Sequence, residues 1–255
     1  MADRFAEGDT MSIYTIEECF LYKDSIKIAG LPIYIFDDHS MALPAWGVCS
    51  SRLGKPLNLI TFDSHTDTHP SFNSFVVDQT GKCAGLWHRG LKNPEIKKLL
   101  ENVHYCADDF CFEDVYKITV SYLKNSEQIL TGVDLGYLSS YVVVTKERDE
   151  SLGYERDDRM LGYNATYLSR ESWDQTKIDA ISDPLVVDFD LDFFGASSDF
   201  DEEFIANITP LIKRATAITI AREPKFFEIC RTEENYTNEM ALAQLLNFIR
   251  SVLSH

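Results

Sequence analysis

The chain is predicted to fold as an α/β protein of three layers, a mostly parallel central sheet covered by helices on both faces. Two observations predict this. Short apolar, β-prone runs alternate with segments whose apolar residues recur at helical spacing. Three of the apolar runs lead into Asp and His residues, as buried strands do when they deliver functional groups at their carboxyl ends.

Taken in order, Ile33–Phe36 and Asn58–Phe62 read as the first two strands. Asn93–Asn102 reads as a helix, because Ile96, Leu99 and Leu100 share one face. A helical stretch near Glu127–Leu135 precedes a third strand at Tyr141–Val144, and Leu185–Phe189 is the fourth. Glu202–Ala215 is a helix with acidic residues at its start and Lys213 and Arg214 near its end, complementing the macrodipole; Pro210 predicts a kink. Ala217–Ala221 is the fifth strand. Thr237–Leu253 is a terminal helix with an apolar stripe through Met240, Leu242, Leu245, Leu246, Ile249 and Leu253. No repeat, low-complexity stretch or Pro/Gly/Ser-rich linker divides the 255 residues, so a single domain over 1–255 is expected.

Composition narrows the function classes. A net charge of -17 argues against a nucleic-acid partner, whose phosphates would be repelled. It serves solubility, and it would steer a cationic substrate. No apolar run approaches membrane-span length, and the amino terminus lacks the basic start and apolar stretch of a secretory signal. The six cysteines, Cys19, Cys49, Cys83, Cys106, Cys111 and Cys230, form no CxxC pair, which disfavours a cysteine zinc site. Reduced thiols in a cytoplasmic protein are the expectation.

The chemistry lies in three segments: Asp37-Asp38-His39-Ser40, Asp63-Ser64-His65-Thr66-Asp67 and Asp188-Phe189-Asp190-Leu191-Asp192. Near a strand end, residues two apart face the same side. Asp63, His65 and Asp67 would therefore share one pocket, and so would the acids of the third segment. Asp38-His39-Ser40 reads equally as a capped helix start. Carboxylates gathered at one rim call for cations, because a buried charge is costly unless neutralised. Oxygen with imidazole donors suits manganese, iron or zinc rather than calcium. Two ions about 3.5–4 Å apart share bridging carboxylates and activate one water. The third segment admits two registers, Asp188 with Asp190 or Asp190 with Asp192.

These islands resemble the arginase (ureohydrolase) superfamily, whose signatures are Gly-Gly-Asp-His-Ser, Asp-Ala-His-x-Asp and Ser-x-Asp-x-Asp. The order along the chain agrees. Phe36 and Asp37 replace the double glycine, and the middle of the chain departs from ordinary arginases. It looks closer to divergent members that include peptide arginases of ribosomal-peptide maturation. The resemblance implies an arginase-like fold and two Mn2+ ions. Asp63 and Asp190 would bridge them, His39 and Asp67 would complete one site, and His65 and Asp192 the other. It favours the Asp190/Asp192 register, since Leu191 and Ala196 fit the family's pattern there, and leaves Asp188 supporting a ligand.

The implied reaction is hydrolysis of a guanidinium to urea and an amine. Asp67 would steady the transition state, Glu223 before Pro224 would grip the cationic head, and His88 in Gly85-Leu86-Trp87-His88-Arg89-Gly90 would pass the proton, with His69 as the other choice. For Glu223 the competing role is a surface ion pair with Arg222. The implied partner is an arginine-containing precursor peptide, with no nucleic acid and no membrane. The family's loop for the α-carboxylate and α-amine is not identifiable, which suits an arginine already in a peptide. Competing readings are a hydrolase of free arginine, agmatine or a formimino-amino acid, a one-zinc deacetylase, and a non-catalytic metal- or peptide-binding protein. The last would use the stretch from Lys92 to Arg170, with Tyr137, Tyr141, Tyr154 and Tyr163, as its contact surface.

Overall fold

A computed structural model describes residues 26–82, 90–146 and 162–254. The described strands are β1 (Ile26–Ile28), β2 (Leu31–Phe36), β3 (Leu57–Phe62), β4 (Leu138–Thr145), β5 (Ala165–Ser169), β6 (Leu185–Asp190) and β7 (Ala215–Ala221). They join in one sheet in the order β1-β2-β7-β6-β3-β4-β5. Only the edge strand β1 runs antiparallel to its neighbour. The expected mostly parallel α/β sheet is thus what the chain forms. The five expected strands appear as β2, β3, β4, β6 and β7, while β1 and β5 are additional.

Strict alternation along the strands divides the core in two. Tyr34, Phe36, Leu57, Leu59, Tyr141, Val143 and Val186 face one layer, built from α1 (Ala42–Leu53), α3 (Pro94–Leu100), α4 (Phe112–Tyr122) and α5 (Gln128–Asp134). Ile33, Ile35, Ile60, Phe62, Val142, Val144, Val187, Phe189, Ile218 and Ile220 face the other, where α7 (Glu202–Arg214) and α9 (Asn238–Leu253) pack. Strands buried on both faces read as continuous apolar runs, which is why these were recognisable. Each fully buried Val, Ile or Phe contributes roughly 1.5–3 kcal/mol.

The remaining helices are short: α2 (Asn73–Thr80), α6 (Gln175–Asp179) and α8 (Pro224–Cys230). Helix α7 runs through Pro210 without ending, capped by Asp201, which accepts from the Phe204 amide at 2.8 Å. In α9 the buried residues include Ala241, Leu245, Ile249 and Val252; of the predicted stripe, Leu245 and Ile249 are buried, Leu242, Leu246 and Leu253 pack partly buried against the core, and Met240 is exposed. The tyrosines considered for a partner surface are core residues instead: Tyr137, Tyr141 and Tyr163 are buried. Tyr154 lies outside the described residues. No described helix is long and apolar enough to cross a membrane.

The strand order places β2, β7, β6 and β3 side by side and mutually parallel, so their carboxyl ends share one rim. The chain leaves β2 through a 3-10 turn, His39–Met41, that leads into α1. Asp38 caps this turn, accepting from the Ser40 amide at 2.9 Å and from the Ser40 hydroxyl at 2.6 Å. The capped-helix reading of this segment therefore applies, and the cap fixes the turn that carries His39. Replacing Asp38 with Ala should lower stability by about 1 kcal/mol in urea unfolding. An unchanged midpoint would show that the cap contributes nothing.

Candidate metal centre

Four adjacent strand ends deliver the site. His39 follows β2, Asp63 begins immediately after β3, Asp190 closes β6, and Glu223 follows β7. His39, Asp63, Asp190 and Asp192 are all buried. Asp67 is nearly so, whereas the His65 side chain is 52% exposed and forms the open side.

The deepest element is a polar row across the sheet. Register pairs Thr61 with Asp188 and Asp188 with Thr219. The Thr61 hydroxyl donates to Asp188 Oδ2 at 2.7 Å, and the Thr219 hydroxyl donates to Asp188 Oδ1. The Trp46 indole of α1 reaches Thr219 Oγ1 at 3.4 Å. Held this way, Asp188 accepts from His39 Nε2 at 2.8 Å. A carboxylate has only acceptors, so Nε2 carries a proton, and Nδ1 is the nitrogen left for a further proton or a cation. A carboxylate behind an imidazole in this way orients metal-binding histidines.

Nδ1 of His39 faces three carboxylates: Asp67 Oδ2 at 3.0 Å, Asp190 Oδ2 at 3.2 Å and Asp63 Oδ2 at 3.5 Å. Yet, among the described residues, His39 Nδ1 and Asp63 Oδ2 are buried with no hydrogen-bond partner. A lone pair set against acidic oxygens is repulsive unless a proton or a cation lies between them. On the open side, His65 Nδ1 is 3.0 Å from Asp192 Oδ2 and 3.6 Å from Asp63 Oδ1. The ligand atoms of Asp63, Asp190 and Asp192 lie within 4.8 Å of one another, as do those of His39, Asp63 and Asp67. Asp63 belongs to both groups, and Asp190, in one of them, also has Oδ2 3.2 Å from His39 Nδ1 of the other. Backbone amides fix the acids: His65 donates to Asp63 at 2.7 Å, Ser64 to Asp192 at 3.1 Å, and Asp192 to Asp190 at 3.0 Å. The donor set and its orphaned atoms fit a pair of divalent cations.

Electrostatics report the same crowding. Burial pushes Asp190 up to about 8, helped by the charge of Asp192. Burial, then Asp67 and Asp192, raises Asp63 well above the carboxylate range. Hydrogen bonds to Asp192 and Asp63 lift His65 to about 11. For His39, burial works to lower the value, but the charge and hydrogen bond of Asp188, with Asp190 and Asp67 close to Nδ1, outweigh it and the ring is raised.

Glu223 is buried beside this cluster and does not pair with Arg222. Arg222 instead binds Asp37, its Nε donating to Oδ1 at 2.6 Å. Glu223 Oε1 accepts from the His39 amide at 3.0 Å, and the Asn125 side-chain amide bridges both carboxylate oxygens at 3.0 and 3.2 Å. Both Asp67 (φ 49) and Glu223 (φ 37) adopt left-handed backbone, a costly conformation for residues with a Cβ and one that concentrates at functional sites.

Sequence reasoning missed the wall from Asn125 to Gln128. Gln128 is fully buried and donates to Asp67 Oδ2 at 2.6 Å. Ser126 is paired with His69, hydroxyl to Nδ1 at 3.1 Å and backbone to backbone at 2.8 Å. No motif marks these polar residues, which read simply as a helix start. His88 lies outside the described residues.

Comparison with known proteins follows the same lines. Residues 21–118 match the arginase family. The proclavaminate amidino hydrolase from Streptomyces clavuligerus shares the fold, with a TM-score of 0.53 at 12% identity over 94% of this chain and 70% of that one. An arginase from Medicago truncatula gives a TM-score of 0.50 at 11% identity over 88% of this chain and 60% of the plant chain. No curated protein matches in sequence.

The raised carboxylates set a pH dependence. Asp190 keeps a proton in the fold that the unfolded chain releases near about 3.9. The metal-free protein should therefore lose stability as pH rises from about 4 towards 8. His39 and Asp63 are raised too and act in the same sense. Divalent cation should remove the loss by replacing the protons. Urea midpoints at several pH values, with and without cation, test this; a metal-free midpoint that rises with pH across that window would contradict it.

Proposed function

We propose, from the match of residues 21–118 to the arginase family and from the shared fold, that the chain is an arginase-superfamily dinuclear metallohydrolase acting on peptides. It would convert arginine side chains to ornithine with release of urea. The supporting observation is the pair of unpartnered buried atoms, His39 Nδ1 and Asp63 Oδ2, inside a ring of carboxylates. His39, Asp63, Asp67 and Asp190 would hold one ion and Asp63, His65, Asp190 and Asp192 the other. Two such ions, Mn2+ by the oxygen-rich donor set, would lower the pKa of a water between them and supply a nucleophile near neutral pH.

The protein's own groups do the rest. Glu223, fixed by Asn125 and the His39 amide, would take the guanidinium through charge-assisted hydrogen bonds. Asp67, steadied by Gln128, would stabilise positive charge at the reacting carbon. Water adds its oxygen to the guanidino carbon, the bond to the chain nitrogen breaks, and that nitrogen leaves as the ornithine amine. His88 would supply its proton. The half-exposed His65 supports an opening that admits a peptide, and the charge of -17 would steer a cationic one. Reduced thiols suit a cytoplasmic setting; Cys49, Cys106, Cys111 and Cys230 are free.

Incubating the Mn2+-loaded protein with arginine-containing peptides should remove CH2N2 from one residue, read by mass spectrometry. Urea from free arginine but unchanged peptides would shift the reading to a free guanidino substrate. No turnover of either with two ions bound would make the protein a binder. Asp190→Ala should abolish both ion binding and turnover, whereas Glu223→Gln should keep both ions and lower kcat/KM by about 10–100-fold. Full activity in either variant would exclude the role given to that residue.

A further inference from the structure

We propose that Cys230 is a sulfur ligand to the second cation, making that position selective for a thiophilic divalent ion (zinc, cobalt(II) or iron(II)) over manganese. The inference rests on the two-ion reading above and amends it at one position. Cys230 is the last residue of α8, and its Sγ lies 3.9 Å from Asp192 Oδ2. Its sulfur, the ligand nitrogen of His65 and the carboxylate oxygen of Asp192 all lie within 4.8 Å of one another. Donors bound to one zinc at ordinary bond lengths sit roughly 3.3–3.6 Å apart, so the three need only small adjustments to share an ion.

They come from three separate elements: the loop after β3, the turn after β6 and the end of α8. Asp63 lies on the same side. It is buried, its Oδ1 is 3.6 Å from His65 Nδ1, and its Oδ2 has no hydrogen-bond donor.

The backbone holds the sulfur in place. The Gly195 carbonyl accepts from the amides of Thr232 at 2.9 Å and Glu233 at 3.2 Å, tying the chain just after Cys230 to the segment that follows Asp192. A Cβ on Gly195 would meet the Cys230 carbonyl oxygen at 2.6 Å, so only glycine permits this approach. The Phe226 ring of α8 packs edge-on to His65 at 6.1 Å.

The two positions therefore differ in kind. His39, Asp63, Asp67 and Asp190 offer nitrogen and oxygen alone. The second group adds a thiol, and a soft sulfur donor favours thiophilic ions over manganese. On binding, the Cys230 S–H bond breaks, its proton passes to solvent, and a sulfur–metal bond forms.

The test is to titrate the metal-free full chain with Co2+ and follow its absorption. Two ions should bind with weak visible ligand-field bands, and one of them should bring an intense thiolate-to-cobalt band in the near ultraviolet. Cys230→Ser should lose that band and keep both cobalt ions. Two bound cobalt ions without the band, or a band that survives the substitution, would overturn the inference and leave the two-ion centre standing. No cobalt bound at all would overturn both. Wild-type protein gives a check that needs no variant: cobalt should slow iodoacetamide labelling of Cys230 but not of the exposed Cys106, and equal labelling would count against the proposal.

Discussion

Everything at this rim depends on one electrostatic constraint: acidic groups have been brought closer together, away from water, than they can stand while all ionised. Two like charges about 4 Å apart repel by roughly 4 kcal/mol at the effective dielectric of a protein interior. The ligand oxygens of Asp63, Asp190 and Asp192 lie within 4.8 Å of one another and are buried, with Asp67 close by. Such a cluster must hold protons or cations. Which of the two it holds is what couples pH, folding and ion binding in this protein.

The sheet makes the crowding possible. Four parallel strands end together, so the chain delivers acids from β3 and β6, a histidine after β2 and a glutamate after β7 without any long loop. Beneath them the row Trp46–Thr219–Asp188–His39 transmits the packing of α1 to the orientation of one imidazole. Asp188 does not meet the cluster directly. It engages Nε2 of His39, and so leaves Nδ1 as the nitrogen that faces the acids. The left-handed backbone at Asp67 and Glu223 is tolerated in the same spirit, because both side chains are held from elsewhere, by Gln128 and by Asn125.

Much of this was legible in the sequence. Strands β2, β3, β6 and β7 announce themselves because burial on both faces leaves only apolar residues between the polar ends. The ligand spacing is legible because strand geometry forces residues two apart to one side. Other parts were silent for physical reasons. Helix α1 contains Pro44 and Gly47 and is buried along most of its length, so it shows little of the two-faced pattern that marks a surface helix. Strand β5 is short and lies at the sheet edge. Asn125 and Gln128 reach the site only through tertiary packing, and nothing local distinguishes them from ordinary helix-start residues. The placement of Arg222 against Asp37, which leaves Glu223 to turn inward, likewise depends on two segments far apart in the chain. Cys230 looked like one scattered thiol among six until the fold set it beside Asp192.

The most direct test of the central claim is anomalous scattering from crystals grown with Co2+. Two peaks about 3.5–4 Å apart are predicted, one within bonding distance of His39 Nδ1 and the other of Asp192, with Asp63 and Asp190 between them. Ordered crystals with saturating Co2+ and no peak among these residues, or a single peak with the acids hydrogen-bonded to one another instead, would contradict the account.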